Sequence, residues 1–131
     1  MIAEAIYSRL STDAGVTTLV GTRVFPMVAP ENEDYPLITY QQIDAGPARD
    51  LGSATDHFRT IQQIDIYSRN KIEAQNVADA VRAALDHKIN QTWGGKNIPS
   101  SRFDDQFDSG FEESTNLHRI IQQYRISYKE A

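Results

Sequence analysis

Two distant stretches of this chain carry nearly the same residues. Arg59-Thr60-Ile61-Gln62-Gln63-Ile64-Asp65-Ile66 lines up with Arg119-Ile120-Ile121-Gln122-Gln123-Tyr124-Arg125-Ile126. Each lies in a longer strand-like run, His57 to Ser68 and Leu117 to Tyr128, rich in β-branched and aromatic residues. Side chains alternate along a strand, so Ile64 and Ile66 share one face, as do Tyr124, Ile126 and Tyr128. The echo is too short for a repeat architecture. It implies instead two strands with the same task, central in one sheet. If they pair, Asp65 and Arg125 come close enough to attract each other. Ile61, Gln63, Ile121, Gln123 and Arg125 fall on the opposite faces. Such a half-apolar face is either a subunit interface or a solvated surface with scattered aliphatics.

Between the echoes lies the strongest helical pattern, Asn70 to Ile89. Asn70 is a good N-cap, and Glu73 sits three residues on, as in a capping box. Ala74, Val77, Ala78, Val81, Ala84, Leu85 and Ile89 form one apolar stripe, which must lie across the sheet. Ahead of the first echo, Ile2, Ile6 and Leu10 mark a short amphipathic helix. Ser11, Thr12 and Asp13 are all suited to cap a second short helix, which Gly21 ends. Arg23 to Val28 is strand-like, but Pro26 removes a ladder donor and sends it to an edge or a bulge. Pro36 opens a firmer strand, Leu37 to Ile43.

Residues 44–57 read as a long, mobile loop of small and turn-forming residues. Asn90 to Ser101 reads as a loop carrying Trp93-Gly94-Gly95 and Pro99, and Arg102 to Phe111 as a strand turning near Gly110. The element order is then ααβββαββ. The fold class is α+β: a mostly antiparallel sheet with the long helix and the short N-terminal helix packed on one face. Residues 1–131 suit a single domain.

The net charge is −5, and the cations are scattered without a basic run. A protein that grips nucleic acid neutralises phosphates with Lys and Arg, so specific DNA binding is not expected. With no cysteine there is neither a disulfide framework nor a cysteine-based zinc site. No apolar run approaches a membrane span. Met1 to Ile6 carries an acid where a secretory leader carries basic residues, so no leader is expected.

Chemistry finds little footing. His57, His87 and His118 have no partner at a metal-binding spacing. His57 and His118 lie near the starts of the twin strands, and a two-histidine site with nearby acids is conceivable. Asp104, Asp105, Asp108, Glu112 and Glu113 form an acidic cluster without calcium-loop spacing. It reads as a solvated strand and turn. No nucleophile elbow, phosphate loop or dinucleotide fingerprint is present. Trp93 either packs against the core at the end of the long helix or stands as an exposed anchor. Arg23 either holds a carboxylate or helix end in a fixed fork or is an exposed strand arginine.

One ordered set of motifs remains. Ile6-Tyr7-Ser8-Arg9-Leu10 is followed by Leu19-Val20-Gly21-Thr22-Arg23-Val24-Phe25-Pro26, then Ala29-Pro30 and Pro36-Leu37-Ile38-Thr39-Tyr40. Ile64-Asp65-Ile66-Tyr67, the helix from Ala74 to Leu85, and Arg119 to Ile126 complete it. In order and spacing this resembles the tail-completion (tail-terminator) proteins of long-tailed phages, across nearly the whole chain. Tyr67 departs from the pattern, which has tryptophan there in many members.

The resemblance implies a structural virion protein, with no catalytic residue, metal or cofactor. It would be made in the bacterial host cytoplasm and reside at the head-proximal end of the tail. Such a protein caps the tail tube as a hexameric ring, ends tube growth and joins tail to head. Its partners would be further copies of itself, the tail tube protein and a head-completion or connector protein. DNA would pass through the ring unbound, and the free protein could be a monomer; no membrane is involved. Ala48, Arg49, Asp50 and Leu51, with Arg23 and Phe25, would contact the tube or a neighbouring subunit. Asp104, Asp105 and Asp108 would face the lumen or rim and repel phosphate. The alternatives are another neck or minor tail component of the same fold, or a small metal-dependent hydrolase using His57 and His118.

Overall fold

The computed structural model describes residues 2–47, 57–112 and 116–129. In chain order these form helices Ile2–Thr12 (α1) and Ala14–Val20 (α2), and strands Val24–Pro26 (β1), Leu37–Pro47 (β2) and His57–Ser68 (β3). Helix Lys71–Leu85 (α3) follows, then strands Lys88–Trp93 (β4), Lys96–Glu112 (β5) and Leu117–Lys129 (β6). The fold is α+β.

The helix ends follow from local chemistry. Asp13 caps α2, its Oδ2 accepting from the Val16 N–H at 3.1 Å. Gly21, with φ 60°, ends that helix and donates to the Thr17 carbonyl at 2.8 Å. Asn70 caps α3, its Oδ1 accepting from the N–H groups of Ile72 and Glu73. The capping box closes through Ser68: the Asn70 N–H donates to Ser68 Oγ, which donates to Glu73 Oε1 at 2.8 Å. α3 stops at Leu85, short of the expected Ile89. Asp86 leaves in an extended conformation and His87 turns left-handed at φ 54°. Ile89 therefore drops off the apolar stripe and is 69% exposed, while the rest of the stripe is buried.

One six-stranded sheet runs β1-β2-β3-β6-β5-β4. β1 lies parallel to β2, and every other pairing is antiparallel. The twin segments are the two central strands, with Gln63 directly opposite Gln123. Antiparallel pairing separates the residues that the echo aligns. Asp65 lies opposite Ile121, and Arg125 opposite Ile61. The expected Asp65–Arg125 attraction is therefore replaced by two others, Arg119 with Asp65 and Arg125 with Asp104.

Two further expectations change. The stretch from Asn90 to Ser101 is a hairpin rather than a loop, so the order is ααβββαβββ. Gly94 and Gly95, at φ 55° and 83°, form its two-residue turn, and Trp93 pairs with Lys96 across it. Both positive φ values are what the favoured hairpin turn requires, and glycine reaches them without a Cβ clash. Of the expected loop at 44–57, residues 44–47 belong to β2 and His57 to β3, and residues 48–56 lie outside the described residues. Ala48, Arg49, Asp50 and Leu51 lie outside the described residues.

The core sits between one sheet face and the helices. Ile6 and Leu10 of α1, Val77 and Val81 of α3, and Ile38, Ile64, Ile66, Ile120 and Tyr124 of the sheet are fully buried in it. Gln122 is buried with them, and each of its polar atoms is satisfied. Its Nε2 donates to the Ala78 carbonyl and to Gln106 Oε1, and its Oε1 accepts from the Tyr124 hydroxyl at 2.9 Å.

Candidate assembly surface

α1 and α3 pack on the core face, and among the described residues no helix packs on the other one. Alternation places Leu37, Thr39, Gln63, Asp65, Tyr67, Arg119, Ile121 and Gln123 on that second face, where Leu37, Thr39, Asp65 and Ile121 are buried and the other four half-buried. At its centre Arg119 Nη2 donates to Asp65 Oδ2 at 2.7 Å, and Gln63 Nε2 donates to the other oxygen of that carboxylate at 2.9 Å. The Arg119 guanidinium also lies 5.6 Å from the centre of the Tyr67 ring. Burial works to lower the Arg119 pKa, but the hydrogen bond and charge of Asp65 outweigh it and raise the value. Burial likewise raises the Tyr67 hydroxyl. Arg119 is therefore a fixed cation and Tyr67 a neutral phenol across the physiological range.

Beside this pair, towards β1, is a cleft of about 210 Å³. Leu37 and Thr39 line it together with Tyr35, Tyr67, Met27 and Leu117. A second guanidinium, that of Arg69, stands 5.1 Å from the Tyr35 ring. Aromatic and arginine side chains around an apolar slot are the composition of protein–protein contacts.

β1 forms one end of the sheet, as its proline suggested. Arg23 Nε donates to the Pro36 carbonyl at 2.9 Å, and the Arg23 carbonyl accepts from the Ile38 N–H. Arg23 thus fastens the edge strand to β2, and among the described residues no carboxylate or helix end is bonded to it. Phe25 is half-buried, whereas Met27 and Val28, just past it, are 68% and 77% exposed. Arg23 and Phe25 therefore lie at the same edge, but the exposed apolar surface comes from the next two residues.

The three acids singled out in the sequence have different partners within the chain. Asp104 accepts from Arg125 Nε at 3.2 Å. Asp105 is exposed and accepts from the N–H of Gln106. Asp108 pairs with Lys71 at the start of α3. Trp93 is buried, with Arg9 5.7 Å from its ring centre. Arg9 in turn donates to the Ala84 carbonyl and so ties α1 to the end of α3.

The histidines part company for the same reason as Asp65 and Arg125. Starts of antiparallel neighbours lie at opposite ends, so His57 faces Lys129 while His118 faces Ser68. The two-histidine site that a hydrolase would need is not formed. Among the described residues no three His, Asp or Glu side chains are grouped to hold a metal ion. The described surface carries instead an arginine–tyrosine cleft and two strand edges.

Known proteins give the same direction. The fold is similar to that of a chain in the virion of a native gene transfer agent particle, at 21% identity and a TM-score of 0.77, covering 95% of this chain and 92% of that one. A second solved structure aligns at 15% identity and a TM-score of 0.60, covering 98% and 92%. At such identities the likeness concerns the fold alone. No curated protein gives a match. Residues 4–129 match the family described as tail completion protein gp17, nearly the whole chain, and the chain therefore belongs to that family of structural phage tail proteins.

Proposed function

We propose that this virion protein caps the head-proximal end of a phage tail tube as a ring of copies, ends tube growth and forms the joint with the head. The observation that carries this reading is the family match over residues 4–129. The gene transfer agent neighbour, itself part of a virion particle, supports it at the level of fold. The surface suits such a role better than catalysis, because its distinctive groups are paired arginines, tyrosines and exposed strand edges rather than a nucleophile and base.

In this reading the ring is sixfold and forms on the tube, while the free protein is a monomer. The tube and a head-completion or connector protein cover its two ends. Arg23 and Phe25 sit at a subunit contact, and Ala48, Arg49, Asp50 and Leu51 contact the tube or a neighbour. Asp104, Asp105 and Asp108 line the lumen or rim, where negative charge keeps DNA from adhering as it passes. Purified protein mixed with tail tubes and viewed by electron microscopy tests the proposal. Rings on one end of each tube, and tubes that no longer elongate, are the expected result. Tubes that keep growing with bare ends would overturn it. Replacing Arg49 and Leu51 with glycine should reduce capping while the monomer stays folded; normal tail length in that variant would remove the loop from the contact.

A further inference from the structure

We propose that successive copies meet edge to edge, with the β4–β5 hairpin of one copy docked on the β1 edge of the next. This rests on the ring reading and names the two halves of the contact. β1 and β4 are the two ends of the sheet, and among the described residues no strand pairs with their outer sides. Unpaired strand edges invite a further strand, and soluble proteins commonly guard them with charge or proline. At β1 the Val24 N–H donates to the Thr22 carbonyl, Pro26 has no N–H and its carbonyl accepts from the Val28 N–H, so that edge offers a neighbour apolar side chains more than backbone groups. Ile89 is 69% exposed on β4, and Met27 and Val28 are 68% and 77% exposed beside β1.

Charge decides which edge meets which. Residues 88–102 carry Lys88, Lys96 and Arg102 and no acid, within a chain of net charge −5. Residues 24–36 carry Glu31, Glu33 and Asp34 and no cation, while Arg23 and Arg69 border the hollow that Glu33 and Asp34 line. Of the acids that flank the hairpin, Asp86 pairs with Arg82 and Asp104 with Arg125, while Lys96 acts on Glu4 of α1. A basic edge against an acidic edge is attractive, whereas β1 against β1 or β4 against β4 sets like charges together. The favoured contact therefore joins two different surfaces, and a heterologous contact of this kind builds a closed ring or a filament rather than a twofold dimer.

The absence of cysteine permits a direct test with a Met27→Cys, Ile89→Cys double variant. Within one chain α1 touches both β1 and β4. Oxidation of the free double variant without tubes reads any bond within one chain, which leaves the mass on a denaturing gel that of a monomer. Oxidation on tail tubes should give a ladder of linked chains ending at the ring size, while each single variant stays monomeric. Dimers from either single variant would show a twofold contact and overturn the proposal. As a second measurement, Lys88→Glu with Arg102→Glu should lower the number of ringed tube ends at least tenfold. Adding Glu31→Lys and Glu33→Lys should restore it, with thermal unfolding unchanged throughout. If the wild-type protein caps tubes in rings but the double cysteine variant gives no ladder and the charge reversal changes nothing, the edge contact is wrong and capping stands. A wild-type protein that never reaches tube ends removes both.

Discussion

The middle of the sheet and its two ends are made for different neighbours. β3 and β6 meet each other along their whole length, and their core-facing side chains Ile64, Ile66, Tyr124 and Ile126 are buried under α3. β1 and β4 each have one paired side, and both carry apolar residues left in water. In the middle every polar group that turns inward has a partner in the same chain, as Gln122 does. At the ends Met27, Val28 and Ile89 are exposed, and among the described residues no strand lies on the outer sides of β1 and β4. The difference separates the residues that hold the monomer from those free to serve an assembly, and substitutions should divide the same way.

The largest effect is expected at Tyr124. Tyr124→Ala leaves a cavity where a fully buried ring met Phe103 edge-on at 5.7 Å, and it orphans Gln122 Oε1. A loss of about 3–5 kcal/mol is expected, a large part of the stability of a domain this size. Urea unfolding should show a lowered midpoint with an unchanged slope. A midpoint that hardly moves would mean the centre is not the keystone of the monomer.

Next comes the second sheet face. Arg119→Ala strips the Asp65 carboxylate, which is nearly buried, of the cation that pairs with it among the described residues, leaving it the Gln63 amide. About 1–3 kcal/mol is expected, because breaking one half of a buried pair leaves the other charge uncompensated. Arg119→Met with Asp65→Leu should recover most of that loss, since both charges then leave together. If the double variant is as unstable as the single, the pair is not what fixes this face.

These central features were partly legible in the chain. The echo of Arg59–Ile66 in Arg119–Ile126 announced two central strands, and the caps Asp13, Gly21 and Asn70 announced the helices, because these are local signals. The partners of Asp65 and Arg125 were not legible, since aligning the echoes in sequence says nothing of strand direction. Once the direction is antiparallel, identical positions move apart and Arg119, not Arg125, meets Asp65. The β4–β5 hairpin did carry a local signal in Gly94-Gly95 between two alternating runs, and Trp93 and Pro99 obscured it. Which surface another copy covers depends on both edges at once. Neither the exposure of Ile89 nor that of Met27 follows from local spacing.

Asp86 tests the boundary between middle and end, since it joins α3 to β4. Burial pushes its carboxyl up, but the Phe103 N–H, Arg82 and His87 outweigh that and hold its pKa below the usual carboxylate range. A pKa depressed on folding stabilises the protein above the unfolded value and is lost as pH falls through the folded one. Asp86→Asn should therefore cost about 1 kcal/mol at pH 7. The gap to the wild type should close as the pH drops below about 4, near the unfolded value. Unfolding curves at pH 7, 4 and 2 check this; a gap that is constant with pH would mean the side chain acts by shape alone.

The smallest effect on the monomer is expected at the edge itself. Ile89 is mostly in water and lies on the outermost strand, so Ile89→Lys removes little buried apolar area and adds a charge that edges tolerate. The change in unfolding free energy should stay within about 0.5 kcal/mol. Ring formation on tubes should fall sharply all the same, because a contact that needs an apolar residue at that position receives an ammonium group. The two measurements together distinguish the sheet's middle from its end better than either alone. A residue that is silent in the monomer and decisive on the tube belongs to the assembly, whereas an Ile89→Lys variant that unfolds like Tyr124→Ala would mean that β4 is part of the core after all.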